Sequence, residues 1–178
     1  MKGGIKAWNG EHVTGSQVKG LEYFLPKRGI EHGAQIAFAM EDGLKRVYEE
    51  LQKRQSDPEM VELLKKLAGF EVQHKKRIKE FFKETTGQEL ESPLYTPSTI
   101  IEGGNPLEEV IQSATEMVKS PQDLLDLASM LEAEAMDLYS RLSRRAEVSK
   151  EERRFFAWLK EEERGHLRLI DSIREGLE

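Results

Sequence analysis

The sequence predicts an all-α protein, a four-helix bundle made of two antiparallel helix hairpins joined by one long crossover that contains a short helix. Three observations predict it. Apolar residues recur at helical spacing through four long stretches. Capping residues, prolines and glycines punctuate the ends of those stretches. Nowhere do apolar and polar residues alternate as a strand requires. The 178 residues suit one domain, and 38% hydrophobic with 34% charged residues is a balance typical of amphipathic helices. Aromatics are only 7%, yet the aliphatic residues suffice for a core at this length.

Residues 1–33 are glycine-rich and aperiodic, and are expected to be an irregular lead-in. Residues 34–178 form the expected helical domain. In the first long helix, Ile36, Ala37, Met40, Leu44, Val47, Tyr48 and Leu51 share a face, and the helix should run from Ala34 to about Gln55. Asp57-Pro58 is an N-cap followed by proline at the first helical position. The second long helix starts there, carries Val61, Leu64, Leu67, Ala68, Ile78, Phe81 and Phe82, and ends near Gly87. The prolines and glycines of residues 86–106 mark a connection, and Asn105-Pro106 opens a short helix to about Val118. Ser120-Pro121 opens the third long helix, striped by Leu124, Leu127, Ala128, Leu131, Ala135, Leu138 and Leu142. Ser149 with Glu152 fits a capping box for the fourth, which carries Phe156, Leu159, Ile170 and Ile173. Short loops make antiparallel neighbours, and the long connection is expected to start the second pair from the same end as the first. This is the ferritin-like topology.

The informative residues are the polar ones inside the apolar stripes. Glu41 lies between Ala37 and Leu44. Glu71 follows Leu67 and Ala68, with His74 one turn on. Glu132 is bracketed by Ala128 and Ala135. Glu163 follows Leu159, with His166 one turn on. Every long helix therefore aims a carboxylate at the core, and two add an imidazole. Unpaired carboxylates there would cost many kcal/mol or take up protons. Two divalent cations resolve the conflict, since four carboxylates balance two such ions and the imidazoles add neutral donors. One Glu from each of two helices and Glu-x-x-His from each of the other two is the ligand set of di-iron and di-manganese carboxylate bundles.

The spacing repeats. Glu41 and Glu71 stand 30 residues apart, and Glu132 and Glu163 stand 31 apart. Tyr48 and Tyr139 each lie seven residues after the first Glu of their half. These tyrosines fit either support of the carboxylates by hydrogen bonding or ordinary core packing. A metal-free relic of such a bundle is the competing reading of the whole set. Glu134 is expected to face elsewhere, Glu161 and Glu162 to be solvated or at a boundary, and the Lys75-Lys76-Arg77 run to be solvated. His12 and His32 are expected to be exposed. Gly43 weakens its helix by about 1 kcal/mol relative to alanine.

The sequence has no cysteine, which removes disulfides, cysteine-ligated Fe–S clusters and rubredoxin-type iron sites. A net charge of −6 argues against nucleic acid as a partner. The longest apolar run, Ile36 to Met40, is too short for a bilayer. With no cationic-then-apolar leader pattern in view, the expected compartment is the cytoplasm.

At Met40-Glu41 through Tyr48, Phe70-Glu71 through His74, Leu131-Glu132 through Tyr139, and Glu161 through His166, the sequence resembles the rubrerythrin branch of the ferritin-like superfamily. The resemblance implies a non-haem di-iron centre, in which Mn or Zn can substitute, without haem. Its ligands would be Glu41, Glu71, His74, Glu132, Glu163 and His166, with Glu71 and Glu163 as bridges. Rubrerythrins reduce hydrogen peroxide to water, so these six residues would be catalytic through the metals. Dioxygen is a further candidate oxidant. Rubrerythrins of the usual type add a glutamate where this chain has Ala135, and carry a four-cysteine rubredoxin-like domain. Here an external electron donor such as a rubredoxin is implied, together with a homodimer, with exchange of helix pairs as an option. Residues 2–10, with Gly3-Gly4 and Ala7-Trp8, resemble the end of a rhodanese domain and imply a rhodanese–rubrerythrin fusion. The same ligands also serve a ferroxidase or iron-storage protein, a di-manganese catalase-like enzyme, or a non-enzymatic metal-binding sensor or docking module.

Overall fold

The computed structural model describes residues 19–24, 29–91 and 99–176. Residues 2–10 and His12, on which the rhodanese resemblance and one histidine expectation rest, lie outside them. The described chain forms α1 (Leu21–Phe24), α2 (Ile30–Gln52), α3 (Pro58–Thr86), a 3₁₀ turn (Glu102–Gly104), α4 (Leu107–Met117), α5 (Pro121–Leu142) and α6 (Lys150–Glu175). It is an all-α ferritin-like bundle. Helix α2 pairs with α3 and α5 with α6, and the 3₁₀ turn lies against α5 and α2. Among the described residues no helix is long and apolar enough to cross a membrane.

The caps act where the sequence places them. The Asp57 side chain accepts from the Glu59 amide at 2.9 Å, and Pro58 follows at the start of α3. The Ser120 hydroxyl accepts from the Asp123 amide at 3.2 Å. Ser149 and Glu152 form the reciprocal box, at 3.1 Å and 2.8 Å. Glu152 does more than close its own helix. Its other oxygen accepts from the Gly29 amide at 2.7 Å, which anchors the first turn of α2. Helix α2 therefore begins at Ile30, four residues before the periodicity announces it. Within that extra turn Gly33 lies under the Phe156 ring. His32 is consequently half-buried, not exposed, with Nε2 3.0 Å from the Tyr23 carbonyl. The lead-in is also not wholly irregular. Phe24 of α1 packs edge-on against Phe156 (centroids 5.5 Å apart) and Tyr139 (6.5 Å).

The core is divided. One apolar cluster gathers Met40, Ile78, Phe82, Ala135, Leu138, Phe155, Phe156 and Leu159 with α1. The other gathers Leu44, Val47, Leu51, Leu64, Leu67, Leu124, Leu131 and Ile170 with α4. Along every long helix the predicted ligand positions fall between the two. The order also fixes direction. Helix α2 passes from the Phe156 cluster to the Leu124 cluster, whereas α3 and α5 both pass the other way. The second pair thus starts from the end opposite to the start of the first, which corrects the sequence expectation. The physical reason is the crossover, which has to travel the length of the bundle. Leu90 and Ile100 sit in the first cluster, and Ile101, Leu107, Val110 and Val118 in the second.

Candidate metal centre

Helix α2 brings Glu41 to the level between the clusters, α3 brings Glu71 and His74, α5 brings Glu132, and α6 brings Glu163 and His166. Glu41, Glu71, His74, Glu132 and Glu163 are at most 2% exposed. His166 is the rim of the layer, with 14% of its side chain exposed. Phe70 stacks on its ring at 6.5 Å, and Trp158 stands edge-on to His74 at 6.2 Å.

A seventh residue joins them. Glu102, from the 3₁₀ turn of the crossover, is fully buried in the same layer. Sequence reading passed it over because it belongs to no helical stripe. The available signal was the Ile100-Ile101-Glu102 run within a glycine- and proline-rich connection, at the level where the crossover changes from one apolar cluster to the other.

The donor atoms converge in three overlapping groups. Glu41, His74, Glu102 and Glu163 each offer an atom within 4.8 Å of the others, as do Glu132, Glu163 and His166, and as do Glu71, His74 and His166. Glu163 belongs to both carboxylate-rich groups, and Glu71 meets both imidazoles. The two rings lie 4.7 Å apart at 86°. His74 Nδ1 is 2.8 Å from Glu41 Oε1, and His74 Nε2 is 3.7 Å from Glu163 Oε1. His166 Nδ1 is 3.2 Å from Glu132 Oε2 and 3.3 Å from Glu163 Oε2.

His166 and Glu132 are hydrogen-bonded, but the other contacts are close without satisfying the groups. Both carboxylate oxygens of Glu41, Glu102 and Glu163, Glu71 Oε2 and both nitrogens of His74 are buried without a hydrogen-bond partner. Native interiors rarely leave so many polar atoms orphaned in one place. Nitrogen and oxygen atoms about 3 Å apart, not aligned for hydrogen bonding, are the spacing of neighbouring ligands around an ion with bonds of roughly 2.1 Å. The residues therefore fit a metal site.

The electrostatics agree. Burial, then the other carboxylates, pushes Glu41 well above the usual carboxylate range. Burial first, and Glu132 and Glu102 next, does the same to Glu71. Glu163 rises through burial and the Glu102 charge, and Glu102 is raised to about 7 by burial and Glu132. Burial holds His74 well below its ordinary value. Burial also opposes the charged form of His166, but the charges and hydrogen bonds of Glu132 and Glu163 prevail and push it up to about 12. Among the described residues no lysine or arginine forms an ion pair with any of the five carboxylates.

Tyr48 and Tyr139 are fully buried, and neither hydroxyl has a hydrogen-bond partner. Burial and the nearby carboxylates keep both phenols protonated. Ala135 is buried in the core and supplies only a methyl. Glu134 leaves the layer and accepts from Asn105 Nδ2 at 2.6 Å. Glu161 is exposed, and Glu162 pairs with Arg77 at the boundary. Lys76 and Arg77 are solvated, whereas Lys75 is half-buried, paired with Asp42 and set over the Phe38 ring. Gly43 admits the crossover, because a Cβ there would overlap the Ile100 carbonyl oxygen.

The family model described as Rubrerythrin matches residues 34–173. No curated protein matches the chain, and no solved structure matches it.

Proposed function

The chain belongs to the rubrerythrin family, and from the layer it buries we propose a dinuclear non-haem iron centre that reduces hydrogen peroxide with electrons from an external donor. The observation that carries the reading is the convergence of orphaned, buried carboxylate and imidazole atoms from all four long helices. In this reading Glu41 and His74 would hold one ion, Glu132 and His166 the other, and Glu71 and Glu163 would be shared. When bound there, a reduced iron pair would supply the two electrons that, with two protons, convert peroxide to two waters.

The protein's part is placement and proton retention. The four helices fix the donor positions before any ion arrives, which limits reorganisation on binding. Tyr48 and Tyr139 keep their hydroxyl protons beside the layer. The two apolar clusters keep bulk water from both ends, so the His166 rim is the accessible side. A rubredoxin-like electron donor is part of the proposal.

The test is metal analysis of protein purified without added metal, then peroxide titration of the reduced form followed by its optical spectrum. Two irons per chain, oxidised by peroxide and cycled repeatedly by a reductant, support the reading. Manganese in place of iron, or a reduced form inert to peroxide, refutes it. The His74→Ala protein should lose metal and peroxide turnover together. Turnover that survives with full metal content would remove His74 from the ligand set.

A further inference from the structure

The crossover carries a charged residue to the middle of the bundle, and the fold goes to some length to seat it. Ile100 packs in one apolar cluster and Ile101 in the other, so the chain crosses the polar layer at this point. Glu102 follows at 0% exposure, with neither carboxylate oxygen hydrogen-bonded. Its donor atom lies within 4.8 Å of those of Glu41, His74 and Glu163.

The seat has three parts. Gly43 of α2, two residues beyond Glu41, leaves room for the Ile100 carbonyl. Gly103 and Gly104 take positive φ angles of 72° and 80°, a region open to glycine, which turns the chain back out at once. A short ladder then closes the loop. The Ile101 amide donates to the Asn105 carbonyl at 2.9 Å, Gly104 to Ile101 at 3.0 Å, and Leu107 to Thr99 at 2.8 Å. Asn105 is itself tied to Glu134 of α5. Held this way, the carboxylate is buried beside Glu41, His74 and Glu163 with neither oxygen hydrogen-bonded, a cost that a purely structural role leaves uncompensated.

We propose that Glu102 is a metal ligand delivered by the crossover, completing the Glu41–His74–Glu163 group, so that binding an ion on that side fastens segment 99–106 onto the bundle. This rests on the dinuclear reading above. The six helix-borne residues repeat between the two halves of the chain, and Glu102 has no counterpart in that repeat. Its removal should therefore weaken one of the two ions and spare the other.

The experiment titrates Co²⁺ into metal-free protein, with visible absorption as the readout, and measures amide exchange at Ile101, Gly104 and Leu107 with and without the metal. Wild type is expected to bind two Co²⁺ and to slow exchange at those amides by about tenfold or more. The near-isosteric Glu102→Gln is expected to weaken one Co²⁺ by about tenfold or more while the other stays within about threefold. It should also abolish the metal-dependent protection, yet melt without metal no lower than wild type. Gly43→Ala, which keeps all seven side chains but displaces the crossover, should reproduce the selective loss. Two unaltered affinities in Glu102→Gln would overturn the inference and leave the dinuclear reading standing. A lowered metal-free melting temperature in Glu102→Gln would assign the residue a structural role and also overturn it. Failure of wild type to bind Co²⁺ at all would overturn the dinuclear reading itself, and the inference with it.

Discussion

Raising the pH from 6.5 to about 8 should destabilise the metal-free protein, and the size of the loss follows from the buried layer. His166 is pushed up to about 12 in the folded chain from an ordinary 6.5. Its stabilising contribution is fully present below 6.5 and is lost as pH rises toward 12. Across this window the native state holds a proton that the unfolded chain has released, so stability falls by about 1.4 kcal/mol per pH unit. Over 1.5 units that is about 2 kcal/mol. The raised glutamates act in the same direction, because a carboxyl protonated only in the folded state also loses stability as pH rises. For Glu102 that loss runs from 4.5 to about 7. His74 opposes the trend only below 6.5, where the unfolded imidazole takes a proton that the buried one refuses. The expected drop is therefore at least about 2 kcal/mol, or roughly 4–8 °C in Tm for a chain of this size. The assay is urea denaturation followed by circular dichroism, with chelator present, at both pH values. Bound metal should cancel or reverse the slope, since ions displace the same protons. Metal-free stability that is equal or higher at the upper pH would refute the account of the layer as an acid cluster short of positive charge.

The remaining expectations separate the layer from its scaffold. Tyr48→Phe removes a buried hydroxyl that has no partner, so metal-free stability should stay within about 1 kcal/mol of wild type or rise, as read by the same denaturation. A loss of more than about 2 kcal/mol would mean that the hydroxyl is bonded in solution. Ser149→Ala breaks half of the box at the start of α6 and should cost about 1 kcal/mol with metal content unchanged. Metal lost along with that stability would show that the α6 cap and the ligand layer are coupled.

Helices α3, α5 and α6 were legible because each pairs a 3.6-residue apolar stripe with its own local cap, whereas α2 showed only its stripe. What escaped depends on residues far apart in the chain. The first turn of α2 is held by Glu152, 123 positions away from Gly29, and by Phe156 over Gly33. Locally that turn is Ile30-Glu31-His32-Gly33, a single apolar residue with no stripe around it. His32 was misjudged for the same reason. The direction of the second hairpin also went wrong, because stripes identify faces and not ends. Only the division of each stripe between two clusters reveals which way a helix runs. Glu41, Glu71, His74, Glu132, Glu163 and His166 could be singled out because each interrupts an apolar stripe. Glu102 interrupts none. Its position is a consequence of topology, of a crossover that must pass the middle of the bundle and of a glycine on α2 that lets it pass closely.

Adding Glu102 changes the charge balance that the six helix-borne residues suggest. Four carboxylates match two divalent ions, whereas five leave one negative charge over. The shifts within the layer point the same way. Each of Glu41, Glu71, Glu102 and Glu163 is raised, and His166 is raised against its own burial. The single group lowered is His74, where desolvation outweighs all else. A layer in which acids retain protons and a buried imidazole gains one is short of positive charge. Glu41, Glu102 and Glu163 bring donor atoms within 4.8 Å of one another, so the surplus is concentrated on the side that the crossover completes. Neutral occupants such as ordered water would satisfy the orphaned oxygens but leave that surplus in place. Cations answer both demands at once, which is the physical ground for preferring bound metal ions here to a hydrated acidic pocket.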